Sequence, residues 1–225
     1  MTSLDLQSIG LREVNKKLQS MSIPNSLATV INPMGGHAIA CGLQHEIQVT
    51  IDGHAGFYCA GMNKLANVTV NGHAGVGLAE NMMSGTVRVT GNASQAAGAT
   101  AHGGLLIIEG DTSSRCGISM KGVDIVVGGS VGHMSGFMAQ AGNLVICGDA
   151  GEALGDSIYE AHIYVQGNIE SLGSDCEEKD MDAEHLSKLT ELLARANIKA
   201  NSKAFKRYGS ARTLYNFHPD NAGVY

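Results

Sequence analysis

The chain has 225 residues, with 15 Lys and Arg against 21 Asp and Glu, a formal net charge of −6. That length suits one large domain or one domain with an appendage, and the acidic balance gives no electrostatic reason to seek nucleic acid or anionic lipid. Thirty glycines against three prolines exclude a mainly helical domain, because each interior glycine costs about 1 kcal/mol relative to alanine.

No charged segment followed by an apolar run opens the chain, and no run reaches membrane-spanning length, so it reads as soluble and cytoplasmic. Residues 1–30 form a helical lead-in, with a helix over 9–21 ("IGLREVNKKLQSM"). Two lead-in strands are expected near 28–32 and 37–42.

From there the sequence repeats. Seven apolar runs each end in glycine: "IQVTIDG", "NVTVNG", "TVRVTG", "LLIIEG", "DIVVGG", "NLVICG" and "HIYVQG". The closing glycines Gly53, Gly72, Gly91, Gly110, Gly129, Gly148 and Gly167 follow one another at an unbroken interval of 19 residues. Two before each stand Ile51, Val70, Val89, Ile108, Val127, Ile146 and Val165. Four before stand Val49, Val68, Val87, Leu106, Ile125, Leu144 and Ile163. All are aliphatic and all but the two leucines are β-branched, which suits a pleated surface. The residues between them vary, as Thr50, Thr69 and Arg88 do.

A constant inward column beside a variable outward one predicts coils stacked in register, about 4.8 Å apart. The fold class is therefore all-β, a single parallel β-helix of about seven 19-residue coils over residues 31–180. Glycines at Gly56, Gly75, Gly132 and Gly151, and again at Gly98, Gly117, Gly136 and Gly155, mark corners that need positive φ or crowded backbone. They are not a dinucleotide loop, which requires one glycine-rich turn and then a long helix rather than a new strand within about a dozen residues. In "AENMMSG", Met82 and Met83 exceed what a short turn needs; they fill the core or meet a partner.

In the later coils the outward column turns apolar, at Ile107, Val126, Val145 and Tyr164, and such a face needs a cover. Residues 181–225 supply a candidate. A helix over 182–197 has Asp182 as N-cap, Leu186, Leu189, Leu193 and Ala196 on one face, and the pairs Glu184–Lys188 and Glu191–Arg195. It caps the coil or lies along that face. A basic, aromatic tail follows, too short for its own core. It is expected to dock on another surface through Phe205, Arg207, Tyr208, Arg212, Tyr215 and Phe217; the alternative is a tail folded back on its own coil.

Catalytic chemistry is hard to find. His54 and His73 occupy one column in adjacent coils, about 5 Å apart, but no third ligand recurs there, so a stacked, solvated pair is expected rather than a metal site. Glu109 and Asp111 flank Gly110 without partners in neighbouring columns, which reads as surface charge rather than a glycosidase pair. The five cysteines are scattered without a CxxC and read as reduced, buried thiols. No catalytic, cofactor-binding or metal residue is assigned.

The recurring strand-Gly-x-x-Gly-x-x-x-Gly coil resembles the GXGXG domain, a right-handed β-helix found at the C-terminal end of the glutamate synthase large subunit. More closely, "YCAGMN" (58–63), "AENMMSGTV" (79–87), "SRCGISMKG" (114–122), "GHMSGFM" (132–138), "LGDSIYEA" (154–161) and "FKRYGSARTLYNF" (205–217) resemble the GlxC-like, glutamate-synthase-like small subunit of bacterial N-methylglutamate synthase. The resemblance implies a heteromeric enzyme that makes N-methylglutamate from methylamine and glutamate and releases ammonia. A class II glutamine-amidotransferase-like subunit and an FMN-binding, iron–sulfur glutamate-synthase-like subunit would carry the chemistry. This chain would join and space them. It begins Met1-Thr2 rather than with a nucleophilic cysteine, and its cysteines are not clustered for an iron–sulfur centre. Two other readings stand beside this one: the third component of a formylmethanofuran dehydrogenase complex, which shares the coil, and a stand-alone β-helix enzyme.

Overall fold

The computed structural model describes residues 2–213. Its first elements are β1 (Thr2–Asp5), α1 (Leu6–Ser20) and β2 (Leu27–Ile31). The repeat then supplies β3 (Gln48–Asp52), β4 (Asn67–Val70), β5 (Thr86–Val89), β6 (Leu105–Ile108), β7 (Lys121–Val127), β8 (Ala141–Ile146) and β9 (His162–Val165). The chain continues through β10 (Cys176–Lys179), α2 (Ala183–Ala196) and β11 (Lys206–Ser210). One sheet holds all the strands, in the order β1 to β9 followed by β11 and β10. The strands from β1 to β9 are parallel, and β11 pairs antiparallel with both β9 and β10.

The architecture is a parallel β-helix, and the 19-residue period is its coil. Val49 pairs with Val68, Val68 with Val87, Val87 with Leu106, and so on to Leu144 with Ile163. Both predicted inward columns are buried throughout. Further columns complete the core. Ala55, Ala74, Ala93 and Thr112 bridge from coil to coil, as do Val131, Ala150 and Ile169. Cys59, Leu78, Ala97, Cys116, Ser135 and Leu154 form another buried column, and Asn63, Met82, Ala101, Met120, Ala139 and Ile158 a third. The two methionines therefore separate: Met82 is fully buried in that column, while Met83 is 47% exposed.

The corner glycines answer two different needs. Gly98, Gly117, Gly136 and Gly155 sit at φ between +66° and +71°, the left-handed region that glycine enters without penalty. Gly75, Gly132 and Gly151 do not; a Cβ there would lie 2.7 to 3.0 Å from backbone atoms of the preceding coil. Close stacking, rather than turn geometry, makes those positions glycine.

The N-terminal region differs from the sequence reading in three places. Helix α1 starts at Leu6 because Asp5 caps it, accepting the N–H groups of Gln7 and Ser8; Gly10 at φ 76° then kinks it. Strand β1 has no counterpart in the sequence reading, since four residues carry too little alternation to register. No strand forms over 37–42: Ala38 and Ala40 have φ of 54° and 59°, which a strand cannot contain. That segment turns instead, and Asn15 of α1 clamps it, donating to Ala38 O and accepting from Ala40 N, each at 2.8 Å. With Val14 and Leu18 buried, the helix closes the N-terminal end of the core.

Candidate functional site

Three surfaces bring the candidate residues together, and each is set by the coil. On the first, the residue after each closing glycine from Gly53 to Gly148 reaches one coil onward. His54 Nδ1 accepts the N–H of His73 at 3.0 Å, and His73 Nδ1 accepts that of Asn92 at 2.9 Å. Asn92, Asp111, Ser130 and Asp149 do the same through their oxygens for Asp111, Ser130, Asp149 and Asn168, at 2.7 to 3.0 Å. The two imidazoles stack with centroids 4.9 Å apart and 19° between planes, close to the spacing expected. An accepting Nδ1 places the ring proton on Nε2. These rings therefore bind neighbouring backbone, and Asp111 belongs to the same ladder.

The ladder also explains the closing glycines. A Cβ on Gly91 would lie 2.6 Å from His73 Nδ1, and one on Gly148 2.5 Å from Ser130 Oγ. On Gly110, Gly129 and Gly167 it would collide with Asn92, Asp111 and Asp149 Oδ1. From Gly72 onward the glycine vacates the volume that the ladder side chain fills, whereas Gly53 stands against Pro33.

The second surface is the covered face. Leu105, Ile107, Val126, Val145 and Tyr164 pack in one cluster with Leu189, Leu192, Leu193, Ala196 and Phe205, so α2 lies along the face. Asp182 caps the helix, accepting the N–H of His185 at 2.8 Å. Of the expected ion pairs, Glu191–Arg195 forms at 3.2 Å. Lys188 turns away from Glu184 toward Asp124 of β7, at 3.5 Å, since that carboxylate sits largely buried beneath the helix. Arg88 of β5 forms the far anchor: it donates to Glu109 and to the Ala196 carbonyl, both at 2.6 Å. A cation at the C-terminal carbonyls of a helix is well placed against its dipole. Glu109 is thus half of an ion pair rather than half of an acid pair.

The third surface is the C-terminal end of the coil. Phe205 is buried in the α2 cluster, and Tyr208 packs into the main core. Arg207 donates to Asp180 O at 2.8 Å, and Arg212 pairs with Glu160 at 2.8 Å. All four candidate docking residues through Arg212 thus make contacts within the chain; Tyr215 and Phe217 lie outside the described residues. Beside them, the His162 and His185 rings meet edge to face at 4.7 Å, and Tyr164 Oη lies 3.2 Å from His185 Nδ1. Burial first, and then the charges of His185 and Arg207, hold the His162 pKa below its ordinary value. Burial raises the Tyr164 phenol to about 12. The pair was not legible in the sequence, because His162 and His185 belong to separate elements.

All five cysteines are free thiols. Burial lifts Cys59 and pushes Cys116 up to about 12, so both remain protonated and unreactive. Among the described residues no group of three or more His, Cys, Asp or Glu could hold a metal ion. No helix among them is long and apolar enough to cross a membrane.

The stacked, glycine-closed coil runs from β3 to β9, and the model of the family described as "GXGXG motif" matches residues 11–221. The chain belongs to the GXGXG family. Within that family it is similar to Protein GlxC of Rhizobium meliloti (strain 1021), with 56% identity over 228 residues covering 100% of both chains. The GXGXG period is visible here as the distance between hydrogen-bonded ladder residues, such as His54 and His73.

Proposed function

We propose that this chain is the non-catalytic, glutamate-synthase-like structural subunit of an N-methylglutamate synthase. In this reading it joins and spaces a class II glutamine-amidotransferase-like subunit and an FMN-binding, iron–sulfur subunit. The enzyme would convert methylamine and glutamate to N-methylglutamate and ammonia. The observation that carries the reading is the family match over residues 11–221 together with full-length similarity to Protein GlxC. The physical form supports it. Each coil is fixed by core columns, a sheet and an outer ladder, giving a rod of nine parallel strands, about 40 Å long, whose two ends hold constant separation.

Reconstitution tests the proposal. The three subunits, co-expressed, should form N-methylglutamate from methylamine and glutamate, and omission of this chain should abolish both assembly and turnover. Full-rate synthesis by the other two subunits alone would overturn it, as would turnover by this chain alone. Within the same reading Tyr215 and Phe217 dock a partner. Truncation after Thr213 spares β11 and should still release the FMN-bearing subunit, whereas truncation from Lys199 would also remove a strand of the coil's own sheet.

A further inference from the structure

A cavity of about 220 Å³ opens at the C-terminal end of the rod, where β9, β10 and β11 meet. It is smaller than the roughly 300–1,000 Å³ sites that take drug-sized or nucleotide ligands. In the antiparallel register Lys179 stands opposite Arg207, and Arg207 opposite Tyr164. Lys179, Arg207 and Arg212 bring three positive charges to its wall, against the single carboxylate of Glu160, in a chain whose net charge is −6.

Two of those cations are matched. Lys179 pairs with Glu177 at 2.5 Å and Arg212 with Glu160 at 2.8 Å. Arg207 is not. Its Nε donates to a neutral carbonyl, Asp180 O, and its two terminal nitrogens have no hydrogen-bond or ion-pair partner among the described residues. A half-buried guanidinium with its fork unused is an incomplete arrangement, since the group is built to hold two parallel hydrogen bonds.

Gly209 provides an independent observation. It lies within β11, its φ is not positive, and a Cβ there would meet nothing closer than Lys179 Cγ at 3.6 Å and Ala161 O at 3.9 Å. Neither backbone conformation nor crowding requires glycine, and glycine weakens a strand interior. What its missing side chain does is leave the wall of the cavity open beside Arg207.

We propose that this cavity binds one small organic carboxylate, held by the Arg207 fork, with Gly209 supplying the space. One unmatched cation calls for one negative charge in a planar, two-oxygen group. A phosphate dianion would exceed that charge and face Glu160.

Titration calorimetry of the full-length chain with acetate, lactate and alanine, and with inorganic phosphate for comparison, tests the site. At least one of the three carboxylates should bind saturably at one per chain, more tightly than phosphate. Arg207→Gln should weaken it about tenfold or more, Arg207→Lys should weaken it less, and Gly209→Leu should abolish it while the melting temperature holds. Absence of saturable carboxylate binding would overturn the proposal, as would tighter binding of phosphate or unchanged binding in Gly209→Leu. These outcomes are independent of whether the chain assembles into a synthase.

Discussion

His73 Nδ1 accepts the main-chain N–H of Asn92 at 2.9 Å, directly over the position where a Cβ on Gly91 would stand. Acceptor and glycine are one device: the bond between coils exists only because residue 91 has no side chain. Gly91→Ala should therefore destabilise the protein by about 1–3 kcal/mol through overpacking. His73→Asn should be nearly neutral, because Asn92 performs the same role one coil later, and His73→Leu should cost about 1 kcal/mol. Chemical denaturation of the three variants checks the order; equal stability of Gly91→Ala and wild type would refute the steric account.

Val89 is fully buried between Val70 and Ile108 in the inward column. Val89→Asp places a carboxyl where no partner exists, at a cost of several kcal/mol. We expect loss of the cooperative melting transition or a large fall in its midpoint. An unchanged midpoint would contradict the rung assignment.

Arg88 ties β5 to the last turn of α2, a contact between residues 108 apart in sequence. Arg88→Met keeps the aliphatic stem but loses both charge-assisted bonds, each worth about 1.5–3 kcal/mol when partly buried; Arg88 and its partner Glu109 are partly exposed, so we expect about 1–2 kcal/mol in total. Hydrogen exchange should localise the loss to the end of α2, with the coil amides protected as before. Uniform loss of protection across the coil would show that α2 and the rod do not separate energetically.

Folding lowers the His162 pKa from an ordinary 6.5, chiefly through burial. As pH falls through that value the unfolded chain takes up a proton that the folded chain refuses, so stability declines with falling pH down to the depressed folded pKa and levels below it. Above about 6.5 this histidine contributes no pH dependence. The melting temperature should therefore fall on acidification through that window, and by less in His162→Gln. An identical pH profile for the variant would exclude His162 as a source.

The rod was legible because its information is local and repeated. Alternation places Val68 and Val70 on one face within four residues, and a constant interval of 19 stacks that face without any long-range inference. The same logic found α2, its Asp182 cap and the apolar column it covers. Tertiary structure alone decided what depends on meeting across coils or between elements. It showed that the closing glycines clear room for a ladder of acceptors, since neither the bond from His73 to Asn92 nor the clash at Gly91 exists within one repeat. It separated buried Met82 from exposed Met83, adjacent residues whose identical chemistry carries no direction. It turned Lys188 from Glu184 to Asp124, and drew Phe205 and Tyr208 into the chain's own cores. Periodicity fixes which residues share a column; only the packed coil fixes what stands opposite them, because side-chain partners are chosen by distance in space and not by spacing along the chain.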